Sequence, residues 1–377
     1  MAIMGKTPHP LEDILTDLVR TGASTGRDLA FVARWAASRV IEHGPDWNPF
    51  AILGYTPHTI VPHSYGKLEQ IGEQKDSDSA LLFHVGYGAN ATTQPILNVL
   101  SDYYGHNVYV MVQPFYKSIK EQAGNLAMRI AELSQQYNNL VLIGHSMGGL
   151  IGEYYLKRLR NSQDNIRRYI SLASPHLGTL DADVGYAAGE VAAYVLPEFL
   201  QKLFFYNASV NEMRIMNPFV KDLWESSFPE DVHTYAFVPT RDNFVTPAES
   251  GLMNSTSLNF LLPFLSNHIV VLGDSNTAYW INEVIQRDHE DLEQQTRSRL
   301  FTPSLQMRVY GQTLAALKRI SPLFSITSLE GLSHRFEEFR GIFAKHEFNI
   351  GIARPQKNLR GTSDRVSSSA VRRRILV

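Results

Sequence analysis

Residues 140–151, LVLIGHSMGGLI, place a serine between glycines where one apolar run ends and another begins. The first run predicts a buried strand and the second a helix, and Gly144, Ser146 and Gly148 fit the pattern G-x-S-x-G. A serine at so tight a turn is forced toward positive φ, at a cost of about 1–3 kcal/mol. Glycines two residues away on each side would relieve the clash between side chains there. The alternative interpretation is a glycine-rich turn that only packs the helix on the strand.

The catalytic interpretation makes Ser146 a nucleophile held above the carboxyl edge of a sheet. In this interpretation the helix that follows aims its first N–H groups, beginning with Met147, at the group that the serine oxygen attacks. His145 is adjacent in sequence, but its side chain is expected to point away from that of Ser146. We therefore interpret His145 as structural.

The regions around this turn alternate between strand and helix patterns. Strands are predicted at 80–85, 107–112, 139–143, 167–173 and 232–238. Helices are predicted at 92–105, at 118–137 and directly after Ser146. A parallel neighbour is reached only through a crossover connection, so this order predicts a doubly wound, mostly parallel α/β sheet.

The predicted organisation has four parts. They are a helical N-terminal extension (1–77), the sheet domain (78–290) with a helical cap insertion at about 177–230, a helical C-terminal extension (291–353), and a basic, disordered tail (354–377). The N-terminal helices are amphipathic, which fits docking on their own domain, a dimer contact or a membrane surface. The tail is compatible with disorder or with contact to anionic lipid.

The composition excludes several function classes. Hydrophobic residues make up 44% and charged residues 19% of the chain, which is typical of a globular protein. A net charge of −2 gives no basis for nucleic-acid binding, and the lack of cysteine excludes disulfides, thiolate metal sites and cysteine nucleophiles. Without a signal-peptide pattern or about 20 consecutive apolar residues, we expect a soluble, cytoplasmic protein.

Three motifs together resemble the α/β-hydrolase superfamily, in particular the bacterial triacylglycerol lipases and related serine esterases. Beside the serine turn, SLASPHLGT (171–179) is similar to an S/T-P-H-x-G-S/T element, and VPTRDNFVTPAES (238–250) resembles the loop that carries the acid. The resemblance covers roughly residues 78–285. It implies the α/β-hydrolase fold and a catalytic triad in the chain order Ser, Asp or Glu, His.

A serine hydroxyl needs a histidine to take its proton, and the histidine needs an anionic partner. Asp242 lies in the resembling loop after an apolar run, and Glu249 in the same loop is the alternative. His268 stands 26 residues after Asp242, where the lipase pattern places its base, although Asn267 occupies a position where relatives often have glycine. His176, in the P-H-x-G element, is interpreted as packing and hydrogen-bonding scaffold.

The resemblance also implies a second N–H donor for the oxyanion, from the loop after the first predicted strand. Relatives usually read H-G-x there, whereas this chain reads HVGYG (84–88), with one extra residue. Alignment on the Gly-Tyr pair makes Tyr87 the donor beside Met147, and Gly86 is the alternative.

These patterns predict a serine ester hydrolase, either a lipase or a carboxylesterase. Apolar residues at 195–205 in the predicted cap favour medium or long acyl chains, although they would equally pack as ordinary core. Transfer of the acyl group to another acceptor, and a non-catalytic binding or membrane-associated role on the same scaffold, stay open. No metal or other cofactor is predicted, since Val270 stands where some such lipases carry a calcium-binding aspartate. The expected partner is a small-molecule or lipid ester, and the oligomeric state is left open.

Overall fold

A computed structural model describes residues 66–86, 94–113, 117–183, 186, 208–240, 242, 244–245, 247–254, 256–262, 268, 270–300 and 331–354. The predicted N-terminal helices and the basic tail from 355 onward lie outside these residues. So does the apolar part of the predicted cap at 195–205. The domain boundaries proposed from the sequence therefore stay predictions, apart from the C-terminal region discussed below.

The described residues build one nine-stranded sheet, in the order β1-β3-β2-β4-β5-β6-β7-β9-β8. Every neighbouring pair is parallel except β1 with β3 and β8 with β9, at the two edges. The strands are β1 Leu68–Ile71, β2 Ser79–His84, β3 Asn107–Met111, β4 Asn139–His145, β5 Ile166–Leu172, β6 His233–Pro239, β7 Leu258–Leu262, β8 Arg297–Leu300 and β9 Glu347–Ile352. The prediction of a mostly parallel α/β fold is confirmed.

Helices cover the sheet on both faces. In chain order they are α1 Gln94–Asn98, α2 Ile119–Ser134, α3 Met147–Tyr154, α4 Ala208–Glu212, α5 Pro218–Glu225, α6 Ser275–Gln286, α7 His289–Glu293 and α8 Leu332–Lys345. Alternate β4 residues point to opposite faces. Val141 and Ile143 join one core with residues of α1 and α6, while α2 and α3 pack together and α3 lies over Leu142 on the other face. This layering places the start of α3 at the carboxyl edge of β4.

The helix boundaries follow local signals. In α2 the Ser118 side chain accepts from the Glu121 N–H while Glu121 accepts from the Ser118 N–H, a capping box that starts the helix. Its buried positions recur every three or four residues, as the sequence pattern predicted. Gly105, at φ 72°, follows the helical segment 94–103 and turns the chain into β3.

The sheet continues beyond residue 290, which corrects the prediction of a helical C-terminal extension over 291–353. Within that range α8 is a helix, but β9 pairs in parallel with β7 and carries β8 as the edge strand. The sequences of these strands, RSRL and EFNIGI, hold charged residues or glycine and lack the apolar run of a buried strand. Each paired β9 residue lies beside a β7 residue 91 positions earlier in the chain, so no local pattern could reveal this pairing.

The predicted cap insertion corresponds to the connection between β5 and β6. Its described parts contain α4 and α5 and no strand, apart from a single bridge between Thr179 and Arg214. Among the described residues, no helix is both long and apolar enough to cross a membrane.

Candidate active site

Ser146 lies at the turn between β4 and α3, with φ 56° and ψ −128°. A residue with a Cβ adopts positive φ only at an energetic cost, so the surrounding structure must hold it there. Its N–H donates to the carbonyl of Leu172 at the end of β5, and its own carbonyl accepts from Gly149 in the first turn of α3. These two bonds fix the strained residue from both sides.

The two glycines of the motif are needed because other backbone segments approach them closely. A Cβ on Gly144 would lie 2.6 Å from the Gly148 carbonyl oxygen and 2.5 Å from the Gly149 Cα, as the predicted clash across the turn requires. A Cβ on Gly148 would instead lie 2.3 Å from the carbonyl oxygen of His84 at the end of β2. The second glycine is thus needed because a neighbouring strand passes against α3.

The structure brings the three sequence-predicted residues Ser146, His268 and Asp242 into one hydrogen-bonded chain. His268 Nε2 lies 2.9 Å from Ser146 Oγ, and His268 Nδ1 lies 3.0 Å from Asp242 Oδ2. Asp242 is 2% exposed and His268 5% exposed, so little water competes for these bonds. The alternative acid, Glu249, lies in the short helical turn Ala248–Gly251.

The loop around Asp242 binds the second carboxylate oxygen. Asp242 Oδ1 accepts from the backbone N–H groups of Phe244 and Val245, each at 2.8 Å. The ring of Phe244 also packs against the His268 ring, with centroids 5.0 Å apart. The carboxylate is therefore oriented toward His268 by two amide donors, and this support could not be read from residue types alone.

His145 contacts the site through the backbone of His268. Its Nε2 lies 2.9 Å from the His268 carbonyl oxygen, which accepts the hydrogen bond, and the two rings are 4.8 Å apart. Burial, together with repulsion from His268, lowers the pKa of His145 to about 3. His145 is consequently neutral near pH 7 and holds the backbone of His268 without adding charge, which agrees with its structural interpretation.

The predicted oxyanion donors are only partly described. Met147 is the first residue of α3, so its N–H belongs to the first-turn donors that the helix itself does not use. A Cβ on Gly86 would lie 2.5 Å from Ser146 Cβ and 3.2 Å from the Met147 nitrogen, so the loop after β2 passes directly against the turn. Tyr87 lies outside the described residues, and its role as second donor stays a prediction.

The sequence did not predict a second hydrogen-bonded chain of serine, histidine and carboxylate. It consists of Ser171, His176 and Glu153 and is called the lower chain; Ser146, His268 and Asp242 form the upper chain. His176 Nε2 is 2.7 Å from Ser171 Oγ, and its Nδ1 is 2.6 Å from Glu153 Oε2. Lys157 contacts the other oxygen of Glu153 at 2.6 Å. These contacts confirm His176 as hydrogen-bonding scaffold.

Burial alone would raise the pKa of Glu153, but the charges and hydrogen bonds of Lys157 and His176 outweigh it and lower that pKa. Glu153 is therefore an anion in the folded protein at neutral pH. In the described part of the chain, no group of three or more metal-ligating side chains is arranged to hold a metal ion.

A mostly parallel sheet with helices on both faces and a strained serine at a strand-to-helix turn defines a class of protein. The fold is that of the α/β-hydrolases, and the chain is similar to lipases and esterases with this fold. The family model described as lecithin:cholesterol acyltransferase matches residues 117–303, a segment that includes Ser146, Asp242 and His268.

The chain is similar to several solved structures at low sequence identity. The propeptide form of the Bacillus licheniformis lipase BlEst2 is similar with a TM-score of 0.50 and 16% identity, over 59% of this chain and 54% of that one. The present chain thus spans about half the length of that protein. The mature form of BlEst2 gives a TM-score of 0.44 and 15% identity over 58% of this chain and 98% of that one.

The phospholipase PlaB of Legionella pneumophila gives a TM-score of 0.44 and 12% identity over 60% of this chain and 67% of that one. Among curated proteins, none matches the sequence significantly.

Proposed function

We propose that the protein is a serine ester hydrolase, with Ser146 as nucleophile, His268 as general base and acid, and Asp242 as the residue that orients His268. The single observation that carries the proposal is the chain of hydrogen bonds from Ser146 Oγ through His268 to Asp242, which begins at a serine of positive φ. The match to an acyltransferase family model supports chemistry on an acyl ester.

The reaction follows from the positions of these groups. His268 Nε2 takes the proton of Ser146 as Oγ attacks the ester carbonyl, and the negative charge of Asp242 stabilises the imidazolium that forms. The Met147 N–H, and the N–H of Tyr87 as the predicted second donor, would hold the oxyanion; each donor typically contributes about 3 kcal/mol in the transition state. His268 then protonates the leaving alcohol, which leaves an acyl ester on Ser146.

Water attacks this acyl-enzyme in a hydrolase, with His268 as base for the second time. An acceptor alcohol in place of water would make the protein an acyltransferase, and the family match favours this as the second candidate. We propose medium or long acyl chains as substrates, on the basis of the apolar sequence at 195–205.

The test uses p-nitrophenyl esters of increasing acyl length and a fluorophosphonate probe, which reacts with activated serines. We expect hydrolysis and labelling by the wild type and neither by Ser146→Ala. Equal hydrolysis rates for the two proteins would overturn the proposal, and the absence of a probe adduct at Ser146 would favour a non-catalytic role. An added long-chain alcohol distinguishes a hydrolase from an acyltransferase. A new ester of that alcohol forms only if the acyl group is transferred to it.

A further inference from the structure

The peptide unit between Phe244 and Val245 is held at both of its polar ends. The Val245 N–H donates to Asp242 Oδ1 at 2.8 Å, while the Phe244 carbonyl oxygen accepts from the Thr179 hydroxyl at 2.7 Å. A trans peptide is planar, and its N–H and C=O point in opposite directions. A group that fixes the oxygen therefore also fixes the direction of the N–H, here toward the carboxylate.

Thr179 can perform this task because its own backbone is well anchored. Its N–H donates to the Met213 carbonyl at 2.8 Å, within the short pairing of the chain after β5 with the chain before α5. The residue is 6% exposed, so water does not readily replace its hydroxyl.

Arg335 of α8 stabilises the same pairing through hydrogen bonds. Asp183 accepts from the Ile215 N–H at 2.8 Å and from Arg335 Nη2 at 2.6 Å, while Arg335 Nε donates to the Ile215 carbonyl at 3.0 Å. Asp183 and Arg335 thus tie the two segments of this pairing together. The backbone that carries Thr179 is therefore held in place by contacts to Met213, Asp183 and Arg335, and the Thr179 side chain lies at a fixed position beside the Asp242 loop.

We propose that Thr179 is a positioning residue for Asp242: its hydroxyl orients the Phe244–Val245 peptide, which in turn orients the carboxylate toward His268. The inference rests on the proposed function, because it assigns Thr179 to the same reaction. Thr179 does not touch the reacting atoms, and its effect on the rate passes entirely through Asp242.

The first experiment compares Thr179→Val with Thr179→Ser in ester hydrolysis and in the rate of fluorophosphonate labelling of Ser146. Valine keeps the shape but removes the donor, so we expect kcat to fall roughly tenfold with KM unchanged, because a less firmly oriented Asp242 would stabilise the His268 imidazolium less well in the transition state. Serine keeps the hydroxyl and should restore most of the rate. Thr179→Ala serves if the valine variant does not fold.

The matched control is Thr234→Val. Thr234 is equally buried, and its hydroxyl forms a hydrogen bond of 2.7 Å with Ser257, but it lies at the start of β6 rather than at the end that leads to Asp242. We expect this variant to lose some thermal stability and to keep the wild-type rate. A rate loss equal to that of Thr179→Val would identify the Thr179 effect as general destabilisation and overturn the inference.

A double-mutant cycle with Asp242→Ala isolates the positioning role. If Thr179 acts through Asp242, then Thr179→Val should slow labelling of Ser146 less than twofold once Asp242 has been removed. An unchanged tenfold effect in that background, or a wild-type rate for the folded single variant, would contradict the inference. Failure of the proposed function is recognised separately, since it would leave Ser146→Ala as active as the wild type.

Discussion

The upper and lower chains of serine, histidine and carboxylate lie at the two ends of α3, and only the upper chain is suited to catalysis. The upper chain begins at Ser146, just before α3, while the lower chain ends at Glu153 within that helix. Their hydrogen bonds are alike: 2.9 and 3.0 Å in the upper chain, 2.7 and 2.6 Å in the lower one. The order of residues and the distances alone therefore do not define a nucleophile.

The two chains differ in their surroundings. Ser146 has positive φ and lies beside first-turn N–H groups, whereas Ser171 is an ordinary strand residue, 1% exposed. A Cβ on Gly149 would lie 3.1 Å from Ser171 Oγ, so this oxygen is packed closely against α3 rather than open to a substrate. The carboxylate of Glu153 is also paired with the ammonium of Lys157, while the two described hydrogen bonds to Asp242 Oδ1 come from uncharged backbone N–H groups. Access and local charge thus separate a reactive chain from a structural one.

The largest expected effect comes from removing each serine hydroxyl. Ser146→Ala should lower kcat for ester hydrolysis by a factor on the order of 10⁴ or more, because the nucleophile is lost. Ser171→Ala should leave kcat within about twofold and lower the free energy of unfolding by about 1 kcal/mol, the usual contribution of one hydrogen bond. Steady-state kinetics and urea unfolding measure the two effects, and a large rate loss in Ser171→Ala would break the comparison.

Replacing each carboxylate by its amide should separate rate from stability. Asp242→Asn should lower kcat by roughly 10³–10⁴-fold, since the amide favours the wrong tautomer of His268, and should change stability little. Glu153→Gln should instead cost about 3–5 kcal/mol of unfolding free energy, because it leaves Lys157 buried without its counter-charge.

Among folded molecules, Glu153→Gln should keep a kcat within a few-fold of the wild type. Thermal unfolding measures the stability of the two variants. Their kcat is expressed per active site, and the number of active sites is determined by titration with the fluorophosphonate probe. Equal stability losses in the two variants would show that both carboxylates are structural.

The third expected difference concerns the dependence of stability on pH. Burial is the main cause that lowers the pKa of His84 to about 4 and that of His145 to about 3, from an ordinary value of 6.5. Between pH 6.5 and about 4 the unfolded chain therefore binds more protons than the folded protein, so stability falls as the pH falls. Each histidine should contribute a loss of about 3 kcal/mol between pH 7 and 4.

The pKa of Glu153 is lowered, so its contribution is lost only as the pH drops below the ordinary glutamate value of 4.5. The slope above pH 4.5 should thus come from His84 and His145 at the catalytic edge, with a further part from His106 and His289, whose pKa values burial also lowers, and not from Glu153. His84→Gln should flatten that slope in urea unfolding, whereas Glu153→Gln should leave it unchanged.

The nucleophile of the candidate site was predictable because its signal is local. A tight strand-to-helix turn requires glycines at a fixed spacing, so the five residues 144–148 are enough to identify Ser146 as a candidate nucleophile. Asp242 and His268 follow from chain order and from a resemblance, and the structure brings both to Ser146. The support of Asp242 by Thr179 was not predictable, since the two residues are 63 positions apart and meet through a backbone carbonyl.

The sequence by itself determined the alternation of strands and helices and the strained turn, because hydrophobic periodicity and glycine spacing act over a few residues. Only the tertiary structure decided that β9 joins the sheet beside β7, and that Ser146 is partly exposed while Ser171 is buried. Strand pairing across many residues and the burial of a polar group depend on which distant segments meet. Those contacts arise when the whole chain packs, so no short pattern records them.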